Sequence, residues 1–422
     1  MGLSHRVVCG LFLMCAWAGP SAAQDAPSTG PAPGTGAAAV AAPSALPLDT
    51  RTQYPRFLAN SYLNVNLGYL DYPFSNKQLE PGFHAESVAV RHLAARVVLL
   101  GHEFNRHFSV QGTYMRPVEF VAYRNVNGAG GSHHVWVNFA SITAKPQLPV
   151  NERFLAYAEA GVGITSRHGF TEQQRPAVRD THFTSLVFGG GVEYHVNRKW
   201  DLTFGGNYSP SSAEKKQPHT VMWSTGFRYN MRPLPSEQVT ANRETGYIVP
   251  EKLLQFGYTT NGLGYGLNRA VSSKVPLFWG GEVQVAQGAG IQFDRNVFHS
   301  RRIFAFDVGA SATYLRSRKN GDNFATVSVY PLLRFTLLRT APADVYLSYS
   351  LAGPTLISSF VLDDRVTGRH FTFQDMLGVG MFLGPHRRIS AGIKIAHYSN
   401  GSIIPDNVGI MMPVTFTIGY SL

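Results

Sequence analysis

The sequence predicts an all-β protein made of two tandem antiparallel transmembrane barrels of about eight strands each. Three observations carry that expectation. Short runs of alternating apolar and polar residues recur along the chain, the period of a strand with one face in lipid and the other in a polar lumen. The 422 residues include 27 Phe, 19 Tyr and 42 Gly, which suits a membrane barrel better than a soluble core. Beyond the N-terminus, no run approaches the roughly 18 apolar residues of a spanning helix.

The chain opens with Arg6, an apolar run from Val7 to Ala18, and Ser21-Ala22-Ala23 ahead of Gln24. That is the layout of a cleaved secretory signal over residues 1–23. Both cysteines, Cys9 and Cys15, lie inside it. The mature chain therefore offers no disulfide, thiolate metal site or cysteine nucleophile. Taking Arg6 from the 37 basic residues and setting the rest against 26 acidic ones leaves +10, an excess that serves either solubility or, in the sharper reading, attraction to an anionic partner such as lipopolysaccharide phosphates. Nucleic acid is not expected for an exported barrel. Residues 24–54 are rich in Ala, Pro and Gly and are expected to form a disordered linker.

Alternation starts at Tyr62, where Leu63, Val65, Leu67 and Tyr69 interleave with Asn64, Asn66 and Gly68. Similar runs near Arg96–Phe104, Phe108–Met115, Val135–Leu148, Phe154–Thr165, His182–Val196, Trp200–Ser209 and Val221–Met231 complete about eight strands over 55–232. The stretch Gly101-His102-Glu103-Phe104-Asn105-Arg106-His107-Phe108-Ser109-Val110, with the closing hairpin, resembles the small OmpA-type outer-membrane barrels. His133 and His134 point to opposite faces of a strand, so a solvated pair is expected there rather than a metal site. Glu193 and His195 share the lumenal face and are expected to fill it.

Residues 233–249 are polar and read as a periplasmic linker, because an even strand number returns the chain to the side it started from. A second series over 250–422 then runs through Leu253–Asn268, Phe278–Gln287, Ile303–Arg316, Phe324–Leu337, Asp344–Ala352, His370–Leu383, Ile389–Ser399 and Met412–Leu422. Met412, Val414, Phe416, Ile418, Tyr420 and Leu422 are expected to form one lipid-facing row. The loop bearing Arg316, Arg318 and Lys319 falls outside the cell by the same parity, where it could grip anionic head groups.

The chemistry concentrates in the seventh strand of the second series. Ile393, Ile395, His397 and Ser399 occupy one face, the lipid-facing one, and the strand ends at the cell surface. Polar groups in lipid are costly unless paired or used. A serine needs a base, and the base needs a third group to hold its tautomer. His397 and Ser399 supply the first two.

His397-Tyr398-Ser399-Asn400-Gly401, continued by Pro405, Asn407, Gly409 and Ile410, closely resembles the active-site region of the PagL family of lipid A 3-O-deacylases. Phe371-Thr372-Phe373-Gln374 with Leu377-Gly378-Val379-Gly380 resembles the strand before it. The resemblance spans about 250–422. It implies a serine esterase of the outer membrane that removes the 3-O-linked acyl chain of lipid A, with His397 as base and Asn407 at the oxyanion hole. It implies no cofactor and no metal. Three features depart from the pattern, one of them the proline, Pro405, which is shifted by one place. The family's acid is a glutamate shortly after the Gly-Ile pair, and Met411 stands there; Ser402 stands where the family tends to have glycine.

Geometry offers another acid. Asp375 occupies a lipid-facing slot in the row Phe371, Phe373, Asp375, Leu377, Val379, Met381, Leu383. If Leu383 pairs with Ile389, counting back sets Asp375 opposite His397 at cross-strand distance. The expected triad is Asp375-His397-Ser399, with Asp406 in the following loop as second candidate. The partners expected are lipid A or lipopolysaccharide and outer-membrane lipid, and a homodimer is compatible with the chain. The rival expectation is a barrel of structural or binding role that kept the fold and lost turnover; a porin is disfavoured because eight strands fill their own lumen.

Overall fold

The computed structural model describes residues 50–274 and 281–422. The expected signal peptide at 1–23 and most of the 24–54 linker lie outside the described residues. Where the chain comes into view it is already packed: Thr52 and Tyr54 are buried, and the Gln53 amide donates to the Leu234 carbonyl at 3.1 Å. The disorder expected as far as residue 54 therefore does not hold for 50–54, because these side chains bind the segment that joins the two barrels.

The first barrel is built from β1 (Ser61–Asp71), β2 (Leu93–Asn105), β3 (Phe108–Pro117), β4 (Ser132–Pro149), β5 (Phe154–His168), β6 (Thr181–His195), β7 (Trp200–Ser209) and β8 (Thr220–Met231). Each strand pairs antiparallel with its neighbours. The β1–β8 pairing and the β4–β5 pairing complete the ring. Beyond the outer end, the short strands Ala85–Ala89 and Val121–Val126 extend the sheet from β4. Alternation decides which residues go inward. Leu67, Tyr69, Phe204, Trp223 and Phe227 stand exposed on the outer wall, while Glu193, Asp201 and Arg228 are buried in the lumen.

The lumenal charges are paired, as buried ions must be. Arg96 meets Glu159 at 2.5 Å and Arg228 meets Glu193 at 2.6 Å, with Lys145 on the other Glu193 oxygen. His195 Nδ1 lies 2.8 Å from Asp201. The Tyr62 ring crosses this lumen, and a Cβ on Gly101 would stand 2.2 Å from it. Glycine is required at that position by close approach alone.

The second barrel comprises β9 (Lys252–Thr260), β10 (Val283–His299), β11 (Phe304–Ser317), β12 (Asn323–Arg339), β13 (Ala343–Ile357), β14 (Phe371–Leu383), β15 (Ile389–Ser399) and β16 (Ile410–Ser421). It closes where β9 pairs with β16. Three expectations change. The strand expected over Leu253–Asn268 stops at Thr260, since Gly262 and left-handed Gly264 interrupt it and α2 (Gly266–Lys274) follows. The strand expected over Phe278–Gln287 is Val283–His299, because alternation continues through Gly288 and Gly290; Phe278 lies outside the described residues. Met412 turns inward: the register shifts between Lys394–Thr415 and Ala396–Met412, and the extra residue on β16 sends Met412 into the lumenal cluster.

The 233–249 segment holds a short helix, α1 (Ser236–Arg243). Its Asn242 amide donates to the Thr52 carbonyl and accepts from the Arg301 N–H. Tyr54, Leu58, Met231, Leu234 and Phe298 form one buried cluster with Phe304 and Phe306 packed on it. The two barrels thus touch at their inner ends.

Candidate active site

The turn between β14 and β15 sets the site. Gly384 and Arg387 take left-handed backbone angles, φ 79° and 55°. Arg387 donates to the Ala341 carbonyl at 2.9 Å and to Asp344 at 3.0 Å, which anchors the turn to the neighbouring hairpin. Leu383 then pairs with Ile389, and the ladder runs without a bulge to Asp375–His397 and Phe373–Ser399. A slip of one residue would have turned Asp375 into the lumen.

Asp375 and His397 meet in consequence. His397 Nδ1 lies 3.7 Å from Asp375 Oδ2, an ion-pair approach slightly longer than a direct hydrogen bond. The other carboxylate oxygen accepts from the Ala352 N–H at 2.8 Å. That donor exists because β13 bulges between Ser350 and Gly353, with Ala352 at φ 54°. The bulge aims a backbone N–H out of the ladder at Asp375. On the opposite flank of His397, β16 places Met411 as its cross-strand partner. The position where the resemblance expects an acid thus holds a thioether, while the neighbouring strand on the other side carries a carboxylate.

His397 and Ser399 share the outward face of β15. The intervening Tyr398 hydroxyl lies inside, where it accepts from the Gln374 amide at 3.2 Å. The outward row is not uniformly open, however. Ile393 is 45% and Val379 44% exposed, whereas His397 is 1% and Asp375 3% exposed. The expectation of side chains open to lipid is corrected in this respect: both are on the outer wall and both are covered.

Two elements pack beside them. Helix α2 lies against the wall, with Val271 packed on Ile395 and Val414, and the Asn268 amide donates to the Met412 carbonyl at 2.5 Å, beside the β16 bulge. On the other side stands the first barrel. The Ser166 hydroxyl bonds the Ser402 carbonyl, and the Tyr114 ring comes within 3.9 Å of where a Gly401 Cβ would be.

The loop after Ser399 is held by its own polar groups. The Asn407 side-chain oxygen accepts from the Asn400 N–H at 3.0 Å, and its amide donates to Ser402 Oγ at 3.3 Å. Gly401 N–H points to Ser399 Oγ at 3.4 Å. Ser402 adopts φ 56°, the left-handed region that glycine enters freely. Asn407 thus organises the loop around Ser399. Asp406 is exposed within that loop, whereas Asp375 and His397 are buried.

Elsewhere, His133 Nε2 meets Glu172 at 2.9 Å and its ring stacks on Phe170, a contact made by the hairpin Phe170–Glu172 with Arg175–Val178. Lys319 pairs with Asp364 at 3.0 Å and Arg318 donates to Gln284 at 2.9 Å. Among the described residues no cluster of three or more His, Cys, Asp or Glu is placed to hold a metal.

Sequence reasoning missed Ala352 and Tyr114. Pro354 inside a strand was a signal for the bulge. An arginine, Arg116, in the outward row Val110, Gly112, Tyr114 was a signal for the covered face.

Residues 278–421 match the family model for Lipid A 3-O-deacylase (PagL). Residues 35–230 match the model for the outer membrane protein beta-barrel domain. No curated protein matches the chain. Similar solved structures include the outer membrane enzyme PagL, 15% identical over 40% of this chain and 99% of that one, with a TM-score of 0.29. Ail, the attachment invasion locus protein of Yersinia pestis, is 16% identical over 40% and 99%, TM-score 0.28. The N-terminal barrel of Pseudomonas aeruginosa OprF is 13% identical over 41% and 98%, TM-score 0.26. The chain is a protein of the bacterial outer membrane in which an OmpA-like barrel domain precedes a PagL domain.

Proposed function

We propose that the second barrel is a serine esterase that removes the 3-O-linked acyl chain of lipid A, with Ser399 as nucleophile, His397 as base and Asp375 as the orienting acid. The observation that carries the reading is the register pairing Asp375 with His397 on the outer wall, next to Ser399 and near the external rim. The PagL match supports the reaction class.

In the first step Ser399 Oγ attacks the ester carbonyl and passes its proton to His397 Nε2. The oxygen that gains charge is met by N–H donors of the 400–407 loop, with Asn407 the side-chain donor once its amide leaves Ser402 Oγ. The sugar oxygen departs with the proton from His397. Water then attacks the acyl-serine, His397 again taking the proton, and the fatty acid leaves. Asp375, facing Nδ1, holds the ring so that Nε2 addresses the serine. Closing the 3.7 Å gap to hydrogen-bond length is the kind of tightening that substrate brings to a catalytic pair.

The rival reading, a barrel that binds lipid without turnover, draws on Met411. Lipid A is incubated with purified full-length protein and with Ser399→Ala, and its mass is followed. Loss of one 3-hydroxyacyl or acyloxyacyl chain with the native protein alone supports the esterase. Identical lipid in both reactions supports the rival.

A further inference from the structure

Asp375 and Arg116 are charged residues in outward rows of different barrels, and the fold brings the two rows to one seam. Strand β3 runs outward like β15, so Tyr114 and Arg116 lie toward the external end of the first barrel, level with the segment that follows Ser399. Tyr114 packs by Gly401. Arg116 is two residues further along the same face, a rise of about 7 Å toward the cell exterior. Its guanidinium stands 5.6 Å over the Phe120 ring, and that ring lies 5.8 Å from Trp136.

A seam of this kind is asymmetric along the membrane normal. The ester-cleaving pair and Ser399 are at the lower level, among apolar neighbours, and a cation braced on aromatic rings is at the upper level, where head groups lie. An acylated glycolipid has the same order: chains and ester below, phosphate above. Arginine suits that phosphate because its planar fork makes two parallel hydrogen bonds to an oxyanion.

We infer that the first barrel completes the substrate site of the second, with Arg116 binding a phosphate of the acylated glycolipid and Tyr114 walling the ester-cleaving pair. The inference rests on the esterase reading for its substrate class, and its test has an arm independent of turnover.

Full-length Arg116→Gln and Arg116→Lys are compared with native protein on bisphosphorylated lipid A, on lipid A without phosphate, and on a neutral long-chain ester. Folding of each variant is checked by the heat-dependent gel shift of barrels. For the first lipid, Arg116→Gln is expected to raise KM about tenfold or more with kcat kept, since a charge-assisted contact is lost; Arg116→Lys recovers part of it, and the substrates lacking phosphate show no change. Equal effects on all three substrates, or none, overturn the inference. In a second arm, retention of bisphosphorylated lipid A is measured in Ser399→Ala with and without Arg116→Gln. Weaker retention with the Gln variant upholds the phosphate contact even if no turnover is found, and unchanged retention refutes it even if turnover is robust.

Discussion

At the scale of single residues, the decisive pair is Asp375 and Met411, which flank His397 from its two neighbouring strands. An imidazole can be oriented from either side, so a carboxylate moved from one strand to the other serves the same purpose while changing the sequence signature. Asp375→Asn keeps the shape and removes the charge that, in the proposed triad, holds the tautomer. Its kcat is expected to fall by about 10³-fold or more, and adding Met411→Glu to that variant is expected to restore activity to within about tenfold of native. Steady-state kinetics on lipid A check both; an active Asp375→Asn assigns the acid elsewhere. Asp375 was legible in the sequence because a carboxylate broke an apolar row and the tight turn made the register countable. The Ala352 N–H that fixes its other oxygen was not, because a backbone donor leaves no side-chain trace.

At the scale of elements, alternation identified strands and faces wherever the ladder is regular, and it failed at bulges. Met412 is the instance: one inserted residue in β16 reverses the face of everything beyond it, and that change is invisible to period-two counting. Helix α2 was missed for a related reason, since apolar residues around Leu263 and Leu267 fit either a strand end or one face of a short helix. The helix answers a need the bulge creates, because Asn268 reaches the Met412 carbonyl at 2.5 Å within a buried setting. Asn268→Ala is therefore expected to lower the stability of the refolded protein by about 1–2 kcal/mol. Equilibrium unfolding in denaturant measures it, and no change in midpoint would mean that the carbonyl finds another donor.

At the scale of the whole molecule, two barrels, each with a polar lumen, meet along one face. Their inner ends share the Tyr54–Phe298 cluster, and their outer ends meet around Ser402 and Tyr114. The architecture of tandem eight-stranded barrels was readable from composition and period, since each barrel closes on local hairpins. Contact between them was not, because outward rows look alike whether lipid or protein covers them; that His397 and Asp375 are buried on the outer wall is read only from the fold. The central claim is that Ser399, on the outer wall beside this seam, is an activated nucleophile. Full-length protein in detergent is treated with a long-chain alkyl fluorophosphonate, and the labelled peptide is identified by mass spectrometry. The account predicts one adduct, on Ser399, that is lost in His397→Ala. An adduct on another residue, or equal labelling of Ser399 without His397, would contradict it.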